Sequence, residues 1–138
     1  MSSQPGPLVG FSDVIRFADV SWSAVPDGAG VYVIYDHGEV LYVGMAGRDG
    51  GGSLRKRLKD HSSGQVVNMF AQYLFLSRVQ FVAAQHVTHP RAAKVACRAY
   101  ILERCSLRYR VMANAVEARA LEKSLKRQLK PALNAIDD

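Results

Sequence analysis

Two short runs constrain this chain more than anything else in it. Val31-Tyr32-Val33-Ile34-Tyr35 and Glu39-Val40-Leu41-Tyr42-Val43-Gly44 are rich in β-branched and aromatic residues, with Asp36-His37-Gly38 between them. Runs of this kind around a short polar link containing glycine signal a β-hairpin. Gly38 stands where the left-handed residue of a three-residue loop is needed, after a type I turn. That loop sets Tyr32 directly opposite Tyr42, and Ile34 opposite Val40, on one face of the sheet. A two-residue loop instead puts the two tyrosines on opposite faces. The position of Gly38 selects the three-residue form.

The rest of the chain divides around this hairpin. The first ten residues are rich in Pro, Gly and Ser and are expected to fray. Phe11 to Phe17 reads as a short helix capped by Ser12, and Pro26, Asp27, Gly28 and Gly30 form a turn cluster. A glycine-rich loop, Gly47 to Gly52, precedes Ser53, which caps a helix with Leu54 and Leu58 on its inner side. Residues 62–68 read as a loop, and Phe70 to Val82 as containing a strand. Pro90 opens a helix to about Cys105, with Ala93, Cys97, Tyr100, Ile101 and Arg104 at helical spacing. Leu107 to Met112 alternates as a strand. A last helix spans about Ala115 to Lys130, buries Ala118, Leu121, Leu125 and Leu129, and ends at Pro131. This order predicts an α+β fold: a small, mostly antiparallel sheet of three or four strands flanked by helices. One domain is expected over 11–138, with an insertion at about 62–106.

Charge narrows the class of partner. The 138 residues carry 18 Lys+Arg and 12 Asp+Glu, a formal net charge of +6. Residues 1–47 hold one basic and five acidic residues, net −4, and residues 48–138 hold 17 basic and seven acidic, net +10. A basic surface of that size suits a polyanion; the plainer reading is a solvated, soluble exterior. Apolar residues are 49% of the chain, which excludes a disordered class, and no run is long enough for a membrane helix. The N-terminus has no basic n-region, and Cys97 and Cys105 make no disulfide framework, so a reduced cytoplasm is expected.

The chemistry-bearing residues form a constellation. Gly30-Val31-Tyr32 and Tyr42-Val43-Gly44 are followed by Arg57-Leu58-Lys59-Asp60-His61, then by Glu117-Ala118-Arg119-Ala120-Leu121-Glu122, Pro131 and Asn134. In order and spacing these four elements resemble the GIY-YIG nuclease superfamily, over about residues 30–134. The resemblance implies an endonuclease that hydrolyses phosphodiester bonds. It implies that Arg57 and His61 serve the site, that a glutamate holds Mg²⁺ or Mn²⁺, and that Tyr32 takes a proton from the attacking water, with Tyr42 beside it. It also implies that Asn134 ties the C-terminal segment back to the site.

The residue types suit that chemistry. Phosphodiester cleavage needs an activated water, compensation of phosphate charge and help for the leaving oxygen. Mg²⁺ prefers oxygen ligands and keeps most of its waters, so one carboxylate suffices. Glu117 and Glu122 lie about 140° apart around a helix, from roughly 100° per residue, and do not readily share one ion. Glu122, twelve residues before Asn134, fits the family pattern, and Glu117 reads as an acid favouring the helix N-terminus. Arg57 and His61, at i,i+4, share a helix face. The first offers a planar fork to phosphate oxygens and the second a nitrogen that titrates near neutrality. A solvated basic helix and a core tyrosine pair are the plainer readings of these residues.

Other features matter less. Some branches of the superfamily carry a lysine directly after the second motif's glycine, whereas this chain has Met45; Arg48, Arg55 and Lys56 are the nearby charges. Residues 47–52 lack the GxxxxGK[ST] order of a nucleotide loop. His86, His89 and Cys97 lack zinc spacing. Arg119, Lys123, Lys126, Arg127 and Lys130 make a basic stripe, and Arg78, Arg91, Lys94 and Arg98 are recognition candidates in the 62–106 segment. DNA is the expected substrate. The alternatives are a non-catalytic nucleic-acid-binding module of this fold and a structure-specific repair or RNA nuclease. Breaking both strands calls for a homodimer or for sequential nicks.

Overall fold

The computed structural model describes residues 8–47, 53–63 and 90–133. Strand β1 (Ile15–Arg16) leads into two single-turn 3-10 helices, Phe17–Asp19 and Trp22–Ala24. Then come β2 (Gly30–Asp36), β3 (Glu39–Ala46), α1 (Leu54–Ser62), α2 (Pro90–Arg104), β4 (Cys105–Val111) and α3 (Ala115–Leu129). The strands form one antiparallel sheet in the order β1-β4-β2-β3. This is the expected α+β arrangement, with four strands.

The sheet has two covered faces. Tyr32, Ile34, Leu41 and Leu107 point to one face and pack with Leu54 and Leu58 of α1 and Ile101 of α2. Val31, Val33, Val43 and Met45 point to the other and pack with Ala118 and Leu125 of α3. Both faces of β2 are therefore in core, and all seven of its residues are buried. Sequences buried on both faces read as continuous apolar runs, as Val31 to Tyr35 does.

The hairpin register differs from the expected one. The turn has two residues, His37 and Gly38, both with positive φ (50° and 88°), as a type I′ turn requires. Asp36 pairs with Glu39 and Tyr35 with Val40, but Ile34 pairs with Tyr42, so Leu41 is an extra residue in β3. This bulge reverses the parity of everything beyond it. Tyr32 lies opposite Gly44, not Tyr42. Leu41 and Tyr42 both face the Tyr32 side, so the two tyrosines share a face by a different route. Beyond α3, the N–H groups of Ala132 and Leu133 donate to the carbonyls of Val40 and Leu41 (3.2 and 2.8 Å), which covers the edge of β3 at the bulge.

The N-terminal segment also departs from expectation. Residues 11–14 are irregular rather than helical. The Ser12 N–H donates to the Tyr109 carbonyl (2.8 Å), and the Tyr109 N–H donates to Ser12 Oγ (3.0 Å). A helix of two turns is marginal alone, whereas the open edge of β4 offers hydrogen bonds and Phe17 gains a core site.

The helices start and stop as their ends dictate. Ser53 Oγ accepts from the Lys56 N–H (3.1 Å), and Asn114 Oδ1 from the Glu117 N–H (2.9 Å). Lys130, left-handed at φ 48°, closes α3 before Pro131. Helix α2 makes up the later part of the 62–106 segment, and its buried Cys97 and Ile101 belong to the protein's interior. Buried Asp36 accepts from the Tyr100 hydroxyl and from Arg104 Nε (3.2 Å), tying the hairpin to α2. Among the described residues no helix is long and apolar enough to cross a membrane.

Candidate active site

The site begins at two glycines. A Cβ on Gly44 would stand 2.3 Å from the Tyr32 hydroxyl and 2.5 Å from Cζ. The tyrosine ring thus lies across bare backbone and extends its hydroxyl over edge strand β3. A Cβ on Gly30 would stand 2.5 Å from the Arg110 carbonyl and 2.5 Å from Leu54 Cδ1. Gly30 therefore lets the start of α1 sit against β2. This seats α1 so that Leu54, Leu58 and His61 all turn inward.

His61 meets the tyrosine there. Its Nε2 lies 2.6 Å from the Tyr32 hydroxyl, and both side chains are buried. Tyr42, half-buried, completes a three-ring cluster. Its ring centroid is 6.4 Å from that of Tyr32, nearly parallel, and 5.8 Å from that of His61, edge-on. Arg57, one turn before His61, interacts with the Tyr32 hydroxyl by charge and by side-chain hydrogen bonding. The shared helical face expected of Arg57 and His61 is thus aimed at the tyrosine pair.

Electrostatics favour a protonated phenol. Burial pushes the Tyr32 hydroxyl far above its ordinary range, Tyr42 adds to the rise, and Arg57 pulls the other way. The charge of Glu122 also raises it, which puts that carboxylate within electrostatic reach of Tyr32. Glu122 is 9% exposed on α3, the helix packed on β2 and β3 from the opposite face. Glu122 Oε2 also lies 3.5 Å from Lys126 Nζ. Glu117 is exposed at the helix start, its N–H capped by Asn114.

A family model for the GIY-YIG catalytic domain matches residues 29–138. The chain belongs to that family. Among solved structures, the GIY-YIG N-terminal endonuclease domain of UvrC from Thermotoga maritima, bound to magnesium as its catalytic divalent cation, is 19% identical. The match covers 82% of this chain and 90% of that one, with a TM-score of 0.42. A point mutant of the same domain, also bound to its catalytic cation, matches at 20% identity, 82% and 89% coverage and TM-score 0.42. No curated protein matches the chain.

In this GIY-YIG domain the structure brings together Tyr32, Tyr42, Arg57 and His61, with Glu122 within electrostatic reach of Tyr32. Asn134, Arg48 and Arg78 lie outside the described residues, as do the Phe70 to Val82 strand, His86 and His89. Met45, where some branches carry lysine, is buried under α3. Arg55 donates from Nε to the Val25 carbonyl (2.9 Å), and Lys56 pairs with Asp60 on the surface (3.4 Å). Arg91 is the second residue of α2; Arg98 is exposed and Lys94 half-buried on it, one turn apart. Lys123 and Arg127 are exposed on α3, also one turn apart. Sequence reasoning missed two contributors. Lys126 read as part of a phosphate-facing stripe, although its i,i+4 spacing from Glu122 signals a pair. Gly44 read as a motif letter, and only the tyrosine lying over it reveals its use.

Proposed function

We propose that this chain is a divalent-metal-dependent endonuclease that hydrolyses DNA phosphodiester bonds. The observation that carries this reading is the buried Tyr32–His61 hydrogen bond, with Arg57 and Glu122 both within electrostatic reach of the Tyr32 hydroxyl. A core tyrosine pair needs neither a buried histidine nor a nearby carboxylate.

The donors suit a hard cation. Among the described residues no group of three or more His, Cys, Asp or Glu is assembled, so there is no closed structural cage of that kind. One largely buried carboxylate suits Mg²⁺ or Mn²⁺ retaining its waters. Glu122 would hold the ion, which when bound supplies positive charge at the phosphate and at the departing oxygen. Arg57 grips a phosphate oxygen with its fork of donors. His61 Nε2 and the Tyr32 hydroxyl share one proton site, so a proton arriving at Tyr32 Oη passes to His61. This relay lets a phenol that burial keeps protonated hand its own proton inward while taking one from water. Tyr42, packed on the Tyr32 and His61 rings, supplies the second phenolic hydroxyl of the cluster. Arg98, Lys94, Lys123 and Arg127 hold the flanking backbone through phosphate contacts.

The test is cleavage of end-labelled DNA and RNA duplexes with Mg²⁺ and with chelator. Metal-dependent cutting of the DNA is expected. Cutting of RNA alone would favour an RNA nuclease, and binding without cutting a non-catalytic module.

A further inference from the structure

Of the basic residues on α3, Lys126 is placed unlike the rest. Arg119, Lys123, Arg127 and Lys130 are exposed. The Lys126 side chain is 24% exposed and its ammonium lies 3.5 Å from Glu122 Oε2, on a carboxylate side chain itself 11% exposed. Glutamate preceding lysine by four residues is the favourable order for a helical pair. A carboxylate this withdrawn from water is costly without a counter-charge.

We propose that Lys126 is a built-in counter-charge for the metal site. It holds Glu122 in the metal-free protein, and a divalent cation that takes the carboxylate displaces it. This rests on the reading of Glu122 as the metal ligand. Ammonium and cation have the same sign and compete for one group, so Lys126 lowers cation affinity while keeping the empty site charge-balanced. Once displaced, the ammonium lies on the helix that carries Lys123 and Arg127.

The test is Mn²⁺ binding to the metal-stripped full chain, followed by the electron paramagnetic resonance signal of the free ion. Lys126→Met should bind Mn²⁺ on the order of tenfold more tightly than the parent chain, because a like charge a few ångströms away is gone. Lys126→Arg, which keeps the charge, should stay close to the parent. Glu122→Gln should lose the site. Metal-free Lys126→Met should melt below the parent, and saturating Mn²⁺ should raise its melting temperature by more than it raises the parent's. Lys126→Gln serves in the same comparison if the methionine variant does not fold. Equal or weaker Mn²⁺ binding by the charge-removing variants, with Glu122→Gln still inactive in binding, overturns the counter-charge role alone. Unchanged Mn²⁺ binding by Glu122→Gln overturns the metal-ligand reading beneath it.

Discussion

The Tyr32 hydroxyl lies 2.6 Å from His61 Nε2 in the interior between β2 and α1. A buried phenol hydrogen-bonded to an imidazole, with Arg57 beside it, is a structural tie and, in the proposed reaction, a proton path. Tyr32→Phe separates the two roles. Losing one buried hydrogen bond should cost about 1 kcal/mol of stability, a few degrees in melting temperature. Losing the proton path should lower cleavage by roughly 100-fold or more. Thermal melts beside single-turnover cleavage rates check both numbers.

Gly44 tests the geometry. A Cβ 2.3 Å from the Tyr32 hydroxyl cannot be accommodated by a ring that is itself 0% exposed. Gly44→Ala should destabilise by about 1–3 kcal/mol through overpacking and reduce cleavage by displacing the tyrosine. In a Tyr32→Phe background the same change should add little further loss of activity, because the displaced hydroxyl is already absent. Urea denaturation and a double-mutant cycle on the cleavage rate measure the coupling.

The hairpin turn offers a gain. His37 is left-handed at φ 50° and is exposed, away from the site. Asparagine tolerates that conformation better than most residues and is favoured in type I′ turns. His37→Asn should stabilise by about 0.5 kcal/mol with cleavage unchanged, read as a shift in denaturation midpoint.

Alkaline pH should weaken the fold. Burial pushes the Cys97 thiol from its ordinary 9.0 up to about 11. Above pH 9 the unfolded chain gives up this proton while the native state keeps it. The associated stability is therefore fully present below pH 9 and is lost as pH rises toward 11. Tyr32, raised in the same direction by its burial, adds to the loss above its ordinary value of 10.0. Urea midpoints measured from pH 8 upward should fall, and should fall less steeply in Cys97→Ala and in Tyr32→Phe.

The phosphate contacts proposed for α2 and α3 predict a salt signature. DNA affinity should drop steeply with salt, and Lys123→Ala with Arg127→Ala should lower the slope of log affinity against log salt by roughly two. An unchanged slope would assign these exposed residues to solvent.

Much of this was legible from residue order. The β2–β3 hairpin, the Ser53 cap, the inward Leu54 and Leu58, and the α3 stripe all follow from local pattern, because each depends on neighbours a few residues away. The bulge at Leu41 does not. Two turn lengths fit Asp36-His37-Gly38, and β3 gains its extra residue where the chain after α3 returns to pair with Val40 and Leu41. Residues 11–17 misled for the same kind of reason: Ser12 caps nothing locally because Tyr109, far along the chain, offers it a better partner. The pairing of Arg57 and His61 on one helix face was legible from spacing, whereas the packing of Tyr32 over Gly44 and against His61 was not. Likewise the Glu122–Lys126 pair is visible as spacing, but its burial is not.

The most direct measurement is nicking of supercoiled plasmid by the purified chain in Mg²⁺ or Mn²⁺, beside Glu122→Ala prepared identically. Metal-dependent conversion to open circles by the parent chain, absent with chelator and absent in Glu122→Ala, is the predicted result. No nicking by the parent chain with either metal, or equal nicking by Glu122→Ala, would contradict the assignment of hydrolysis to the Tyr32–His61–Arg57–Glu122 cluster.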